Sequence, residues 1–274
     1  MLRIAVCQLP LDIENFEENI TLANSAILEA SSRGAQLVVL PELTNSGYVF
    51  SSIAELAERA TTLDGAIVQE WASLAKKLNL VIVAGLAIKE ETRFYNVSVI
   101  IDSQGLRGWY KKVHLWKDEV DFFTPGESEP LVVDTAVGRI ATMVCYDVEF
   151  TEWVRLAMLA DATILALPTN WPDGGLPTDP TPMEAVRVQA AASQNKMVVA
   201  AADRTRIERG VAWSSASIIA DSDGIIRAIA DRSKINELQI LVADVEIPTD
   251  RKISPRNDVR SDRRPELYKG VLRK

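Results

Sequence analysis

The stretch that decides the fold is GAQLVVLP at residues 34–41, which returns in the second half of the chain as DATILALP at residues 161–168. Two more stretches return in the same order: VIVAG at 81–85 as MVVAA at 197–201, and SVIIDSQG at 98–105 as SIIADSDG at 217–224. Chance could give one such match. Three matches in the same order indicate an internal duplication.

Each half is predicted to run strand, helix, strand, helix and then a hairpin around the turns DSQG and DSDG. The apolar strands are short, as is typical of strands covered on both faces, and are expected at 3–9, 36–40, 80–86, 140–145, 162–167 and 197–202. The intervening helices are amphipathic: Phe16, Ile20, Ala23, Ile27 and Ala30 form one apolar stripe. Two sheets with helices on their outer sides predict an α/β fold, a four-layer αββα sandwich with an internal pseudo-two-fold duplication.

The length of 274 residues fits one large α/β domain, and no linker divides it, so residues 1–274 are predicted to form a single domain. The Pro-, Gly- and Asp-rich stretch from Asn170 to Pro182 is a loop long enough to cover a site. Residues from about 250 to 274 include Arg251, Arg256, Arg260, Arg263 and Arg264 and are expected to form an extended tail that packs elsewhere, such as on a partner subunit.

The composition is that of a soluble globular protein, with 47% hydrophobic and 25% charged residues. A net charge of −8, with both signs interspersed, argues against a nucleic-acid surface. No run approaches the ~20 apolar residues that cross a bilayer, and the N-terminus does not resemble a secretory signal. Two cysteines are too few for a disulfide framework, so a cytoplasmic location is expected. The single histidine, His114, excludes metal sites built on several histidines, and it leaves a carboxylate as the expected proton carrier of a hydrolase.

Two residues at strand ends are candidates for chemistry. Cys145 ends an apolar strand and precedes a helix that begins near Thr151, which would expose a nucleophile at the sheet edge; a buried structural cysteine is the alternative. Glu42 follows Pro41 at the end of another strand. A partly desolvated carboxylate there would have a pKa raised into the range useful for proton transfer, although a solvated turn residue fits equally well.

The segment after the first hairpin carries two adjacent lysines and the histidine. On an extended backbone Lys112 and His114 share a face, so Lys112 can point inward while Lys111 points away. Glu119 follows within an acidic loop and is a solvated charge by spacing alone. We expect His114 to have a structural hydrogen-bonding role and Cys7, in mid-strand, to pack in the core.

Together these segments resemble the nitrilase, or carbon–nitrogen hydrolase, superfamily over nearly the whole chain. The resemblance rests on Pro41-Glu42-Leu43 with Gly47-Tyr48, Tyr110-Lys111-Lys112-Val113-His114-Leu115, Thr124-Pro125-Gly126, Gly138-Arg139, Val144-Cys145-Tyr146-Asp147 and Asp262-Arg263-Arg264-Pro265-Glu266-Leu267-Tyr268. Each motif alone is weak, but the Glu, Lys and Cys blocks in this order and at these spacings are highly specific.

The resemblance implies the αββα sandwich again and assigns roles. Glu42 is the base, Lys112 the electrophilic partner, Cys145 the nucleophile and Glu119 a second, positioning glutamate. The expected reaction is hydrolysis of a small carboxamide through a cysteine thioester, with the oxyanion held by Lys112 and the Tyr146 N–H and with no cofactor. Family members pair their sandwiches, and a tail bearing Tyr268 and Leu272 cannot bury these side chains within itself. We therefore expect a homodimer or higher even oligomer.

The sequence Cys145-Tyr146-Asp147 on a short chain resembles the amidase branch, because true nitrilases usually carry Cys-Trp-Glu and run longer. Glu149 stands where omega-amidase-like members often have an arginine, which favours an uncharged or amine-bearing substrate. The Asn170-Trp171-Pro172 loop is expected to form one wall of the acyl pocket, and Tyr48 and Tyr146 are further substrate-binding candidates. The alternatives are an N-carbamoyl amidohydrolase, then a nitrilase or omega-amidase, and, outside enzymes, a catalytically silent binding member of the fold.

Overall fold

A computed structural model describes residues 1–173 and 181–273 of the chain. The strands in chain order are β1 (Leu2–Gln8), β2 (Leu37–Val39), β3 (Val81–Glu90), β4 (Arg93–Asp102), β5 (Gly105–Lys111), β6 (Leu131–Thr135), β7 (Gly138–Thr142), β8 (Ile164–Pro168), β9 (Val198–Ala202), β10 (Ile218–Ala220), β11 (Ile226–Ile229), β12 (Gln239–Val245), β13 (Lys252–Ser254) and β14 (Asn257–Asp258). The helices are α1 (Phe16–Ser32), α2 (Ile53–Arg59), α3 (Ala66–Leu78), α4 (Glu119–Phe122), α5 (Thr151–Leu159) and α6 (Met183–Asn195).

The two large sheets have corresponding strand orders. One runs β12-β1-β2-β3-β4-β5, and the other, read in the matching direction, runs β6-β7-β8-β9-β10-β11. In each sheet three strands are parallel, β1, β2 and β3 in the first and β7, β8 and β9 in the second, and their neighbours pair antiparallel. In the first sheet, β12 takes the place that β6 takes in the second. The duplication predicted from the sequence therefore corresponds to a repeated sheet topology.

Three apolar layers hold the sandwich together. Between the sheets, side chains such as Ile4, Val39 and Val83 of the first meet Ile164 and Val198 of the second, all nearly inaccessible to water. A second layer packs α1 and α3 against the outer face of the first sheet, and a third packs α5 and α6 against the second. The predicted four-layer αββα arrangement is confirmed. Burial on both faces explains why central parallel strands such as β2, β8 and β9 are apolar throughout rather than alternating.

The topology gathers the ends of the parallel strands at one edge. Glu42 lies just past β2, Asn170 just past β8, and Cys145 just past β7. The Glu42 N–H donates to the Thr169 carbonyl at 3.3 Å, so the strand ends of the two sheets touch. The expected strand 140–145 ends earlier, at Thr142, because the Asp147 carboxylate accepts the Val144 N–H and turns the chain. Most of the predicted covering loop, residues 174–180, lies outside the described residues.

The C-terminal tail is largely exposed. Arg251 is buried and donates to the Lys196 carbonyl at 2.6 Å, but the apolar side chains beyond it face outward, with Leu267 66% and Leu272 88% exposed. With the outer face of α5, including Trp153 and Leu156, the tail lines an apolar groove of about 1030 Å³. Exposed apolar side chains grouped in one groove are typical of an interaction site. Among the described residues, no helix combines the length and apolar character needed to cross a membrane.

We predict that the chain forms a homodimer or higher even oligomer through this tail and α5. Light scattering at micromolar concentration should give at least twice the 30.2 kDa of the monomer. Truncation after Arg264 removes Leu267, Tyr268 and Leu272 and should shift the distribution toward monomer. A wild-type protein that is only monomeric at that concentration contradicts the prediction.

Candidate active site

Lys112 lies directly after β5 and its side chain is fully buried. Its N–H donates to the Asn96 carbonyl and its own carbonyl accepts from the Gly126 N–H, both at 2.8 Å, so the backbone is fixed on both sides. The Nζ atom lies 2.8 Å from Glu119 Oε1 and 2.7 Å from Glu42 Oε1. Burial disfavours the ammonium, but these two carboxylates outweigh it and raise the Lys112 pKa. The side chain is therefore a charged ammonium in a buried site.

Glu42 passes close to β3, and Gly85 permits the approach, since a Cβ there would lie 2.4 Å from Glu42 Cα. Its Oε1 accepts from the Lys112 Nζ and from the Asn96 amide at 2.6 Å. Its Oε2 is buried and has no hydrogen-bond partner within the described residues. Burial raises the pKa of Glu42 to about 7, against the opposing effect of Lys112. The carboxyl group thus titrates near neutrality and keeps one oxygen free.

Glu119, the first residue of α4, uses both of its oxygens. Oε1 accepts from the Tyr48 hydroxyl and from Lys112 Nζ, each at 2.8 Å, and Oε2 accepts from the Trp116 N–H at 2.8 Å. The side chain is 3% exposed. A carboxylate held in this way orients the lysine and has little freedom to carry protons.

Cys145 begins a 3-10 turn, Cys145–Glu149, and has a φ of 45°, in the left-handed region that non-glycine residues rarely adopt. Its side chain is 4% exposed. Burial and the nearby Glu42 raise the thiol pKa well above its usual value, while Lys112 and a hydrogen bond from the Asn170 backbone N–H act in the opposite direction. The thiol is therefore protonated at rest and needs a base before it can attack.

The other predicted binding residues are not all at this cluster. Tyr48 contacts Glu119 through its hydroxyl, and Asn170 contacts Cys145 through its backbone. Tyr146 packs its ring edge-on against Trp116, with centroids 4.7 Å apart. Trp171 is buried, and its backbone N–H donates to Asp203 Oδ1 at 3.0 Å.

Glu149 differs from the expectation. Its carboxylate lies 2.9 Å from Arg187 Nε, in a groove between the 3-10 turn and α6 rather than at the cluster. Arg187 therefore compensates the charge of Glu149, so Glu149 by itself does not support the expected preference for an uncharged or amine-bearing substrate. Glu149 and Arg187 lie 38 positions apart in the sequence, so their pairing depends on the packing of α6.

Sequence reasoning missed Asn96, which donates to Glu42 and, at 3.4 Å, to Glu119. The available signal was a polar residue within the apolar run of β4 that is 1% exposed in the structure. The structure also shows the surroundings of His114 and Cys7, the two residues that were expected to have structural roles. His114 Nδ1 lies 2.7 Å from Asp147 Oδ1, and Cys7 is fully buried between the first sheet and its helices, where burial raises its pKa to about 12.

A cavity of about 390 Å³ adjoins the cluster and shares Tyr48 and Glu119 with it. Aromatic side chains dominate its described walls: Tyr48, Phe50, Trp116, Phe122, Phe123 and Trp213. The charged side chains on its described lining, besides Glu119, are Lys117, Asp118 and Asp121. In the part of the chain that the structure describes, no group of three or more His, Cys, Asp or Glu side chains is arranged to hold a metal ion.

Comparison with known proteins gives consistent results. The family model described as carbon-nitrogen hydrolase matches residues 3–252. The chain is 32% identical to a nitrilase of Pyrococcus abyssi, over 98% of this chain and 99% of that one, and 30% identical to a citrullinase of Francisella tularensis, over 100% and 99%. It superposes on an amidase from Nesterenkonia with a TM-score of 0.80 and 26% identity, covering 99% of this chain and 96% of that one. Another structure of that amidase, a glutamate-to-glutamine mutant, shows acrylamide added to its active-site cysteine, with a TM-score of 0.81, 25% identity and coverage of 99% and 100%.

Proposed function

Since the chain belongs to the carbon–nitrogen hydrolase family of the nitrilase superfamily, we propose that it hydrolyses a small carboxamide to the carboxylic acid and ammonia through a thioester on Cys145. The observation that carries the proposal is the arrangement around Lys112. A buried ammonium is held by two carboxylates beside a buried protonated thiol, and one carboxylate has an oxygen without a hydrogen-bond partner among the described residues.

In the first half-reaction the free Oε2 of Glu42 takes the thiol proton as Cys145 Sγ attacks the amide carbon. A base with a pKa near 7 suits this transfer at neutral pH. The carbonyl oxygen becomes an oxyanion, which the Lys112 ammonium and the Tyr146 N–H stabilise. Glu42 then returns the proton to the departing nitrogen, which leaves as ammonia, and the acyl group remains on sulfur as a thioester.

In the second half-reaction Glu42 removes a proton from water, and the resulting hydroxide attacks the thioester carbon. The C–S bond then breaks to release the acid, and Glu42 returns the proton to the Cys145 thiolate. Glu119 takes no proton in this scheme. It keeps Lys112 in place, and the Tyr48 hydroxyl and the Trp116 N–H fix Glu119 in turn.

Unpartnered polar atoms next to the nucleophile support the binding role of the Asn170 loop. Within the described residues, both side-chain amide atoms of Asn170 and the indole nitrogen of Trp171 are buried without a hydrogen-bond partner. Buried polar groups are rarely left unpaired, so these atoms are available to a polar substrate. We propose that Asn170 and Trp171 bind the amide, with the Tyr146 ring as a neighbouring wall.

We propose further that the acyl group is uncharged or amine-bearing. Glu149 no longer supports this, but the cavity does: its described lining carries one cation, Lys117, against Asp118 and Asp121. Butyramide should have a kcat/KM about tenfold above that of succinamate, in which a carboxylate replaces the terminal methyl, because like charges oppose the anion. The double variant D118N/D121N should narrow this difference, whereas Glu149→Gln should leave it unchanged. A larger kcat/KM for succinamate contradicts the proposal.

Ammonia release from a panel of amides, carbamoyl compounds and nitriles tests the reaction itself. The proposal expects turnover of at least one neutral amide and little turnover of the matched nitrile. The main alternative is hydrolysis of a carbamoyl compound, which uses the same residues, releases carbon dioxide as well, and agrees with the similarity to a citrullinase. If only carbamoyl compounds are turned over, the substrate is a carbamoyl compound and not a carboxamide. A silent binding protein would show neither ammonia release nor rapid labelling of Cys145 by iodoacetamide.

A further inference from the structure

Asp147 is a fully buried carboxylate, two residues after the nucleophile, that the reaction scheme leaves unused. Both of its oxygens accept two hydrogen bonds. Oδ1 accepts from the His114 N–H at 3.0 Å and from His114 Nδ1 at 2.7 Å, and Oδ2 accepts from the Val144 N–H at 3.0 Å and from the Tyr110 hydroxyl at 2.9 Å. Four acceptor sites are thus filled by four donors, which is the full capacity of a carboxylate.

These donors come from the two segments that carry the reacting groups. Val144 directly precedes Cys145, and Tyr110 and His114 flank Lys112 at two residues on either side. On an extended backbone residues two apart share a face. Asp147 therefore ties the turn that bears the thiol to the strand end that bears the ammonium. A shift of either segment would stretch these hydrogen bonds.

The conformation of Cys145 requires such restraint. A non-glycine residue at φ 45° is strained, and it persists only where its surroundings determine the backbone. Asp147 does so from inside the turn, because its side chain accepts the N–H of Val144 while its own N–H donates to the Val144 carbonyl at 3.0 Å. The first of these bonds is one half of a capping box at a helix start, and the second is a backbone bond that closes the turn.

Aromatic side chains hold two of the donors to Asp147, His114 and Tyr110, in place. The His114 ring stacks on Phe150 with centroids 3.7 Å apart, and the Trp153 indole donates to the Tyr110 hydroxyl at 3.0 Å. Burial, followed by Asp147, raises the pKa of Tyr110, so the phenol remains a donor. His114, the only histidine of the chain, thus serves this assembly.

We propose that Asp147 is a positioning residue for catalysis, setting the separation of the Cys145 thiol and the Lys112 ammonium through its four hydrogen bonds. The inference rests on the proposed function, since it presumes that these two groups react. Asp147 acts through other residues and is too deeply buried to meet the substrate.

The test is Asp147→Asn, prepared in a Cys7→Ala background so that Cys145 is the single thiol. Asparagine has the same shape, but its amide nitrogen cannot accept, so one of the backbone N–H groups of Val144 and His114 loses its partner in either orientation. We expect kcat to fall about 100-fold, as for an ångström-scale misplacement of a reacting group, with KM changed less than about threefold. The rate of Cys145 labelling by iodoacetamide should fall in parallel.

Asp221→Asn is the matched control. Asp221 is also a buried carboxylate that accepts backbone N–H groups, from Asp223 at 2.9 Å and Ile225 at 3.0 Å, but it serves the hairpin of β10 and β11. Its variant should lose thermal stability and keep kcat and the labelling rate. If Asp147→Asn behaves like this control, or changes only KM, the proposal is wrong. The labelling rate separates the two hypotheses: a wild-type enzyme without rapid labelling or turnover contradicts the proposed function, whereas wild-type behaviour of Asp147→Asn contradicts this inference alone.

If the Asp147→Asn variant does not fold, the Tyr110→Phe variant tests the positioning role of Asp147 instead. It removes one of the four donors and keeps the ring, so kcat should fall about fivefold, the usual effect of one hydrogen bond, with KM unchanged. Wild-type kcat and labelling in Tyr110→Phe would contradict the proposal.

Discussion

Replacement of Cys145 by alanine is expected to lower kcat by roughly 10⁴-fold or more while the protein stays folded. The covalent route disappears with the sulfur, and water, a weaker nucleophile than a thiolate, would have to attack the amide directly. Cys145→Ser should be nearly as inactive, because a hydroxyl beside a carboxylate base is a much weaker nucleophile than a thiol. The measurements are kcat for ammonia release and the melting temperature of each variant.

Cys7→Ala is the matched control for this prediction. Cys7 is the other thiol, fully buried in the packing of the first sheet against its helices. Its replacement should leave turnover near wild type and cost at most some stability through the small cavity. Retention of more than a few per cent of kcat by Cys145→Ala would remove the covalent mechanism.

Replacement of Glu42 by glutamine is expected to lower kcat by about 10³-fold, within the usual range for loss of a general base. Glutamine keeps the size of the side chain and can still accept from Lys112, but it cannot take the thiol proton. With burial raising the Glu42 pKa to about 7, the ionised base is scarce below that pH and abundant above it. The wild-type kcat/KM should therefore rise as pH increases through about 7, and the residual activity of Glu42→Gln should lack this rise.

Lys112 does not produce that rise, because its raised pKa keeps it charged throughout the range. Glu90→Gln is a matched control: Glu90 also pairs with a lysine, at 2.6 Å from Lys111 Nζ, but the pair is partly exposed. An exposed pair contributes little, so this variant should keep both the rate and the pH profile. A pH rise of wild-type size in Glu42→Gln would assign the titration to another group.

The sequence by itself determined the layers of the sandwich and the repeated order of its strands. Short apolar runs predict strands buried on both faces, and the apolar stripe of α1 predicts which side of that helix packs. Such patterns are local consequences of helix and strand geometry, so they can be recognised in the sequence before the fold is known. The ends of the strands were predicted less accurately. β7 ends at Thr142 rather than at residue 145 because the side chain of Asp147 accepts the Val144 N–H.

Sequence motifs also selected Glu42, Lys112, Glu119 and Cys145, but only the tertiary structure decided their states. The pairing of Lys112 with Glu42 spans 70 residues and that of Asn96 with Glu42 spans 54. Burial then sets the charges, since the same glutamate in a solvated turn would have an ordinary pKa. At Glu149 the tertiary structure removes an inference instead. Its charge suggested a substrate preference, but the packing of α6 places Arg187 against it. Spacing along the chain identifies which groups are present, whereas desolvation and pairing depend on contacts that only the packed sheets and helices create.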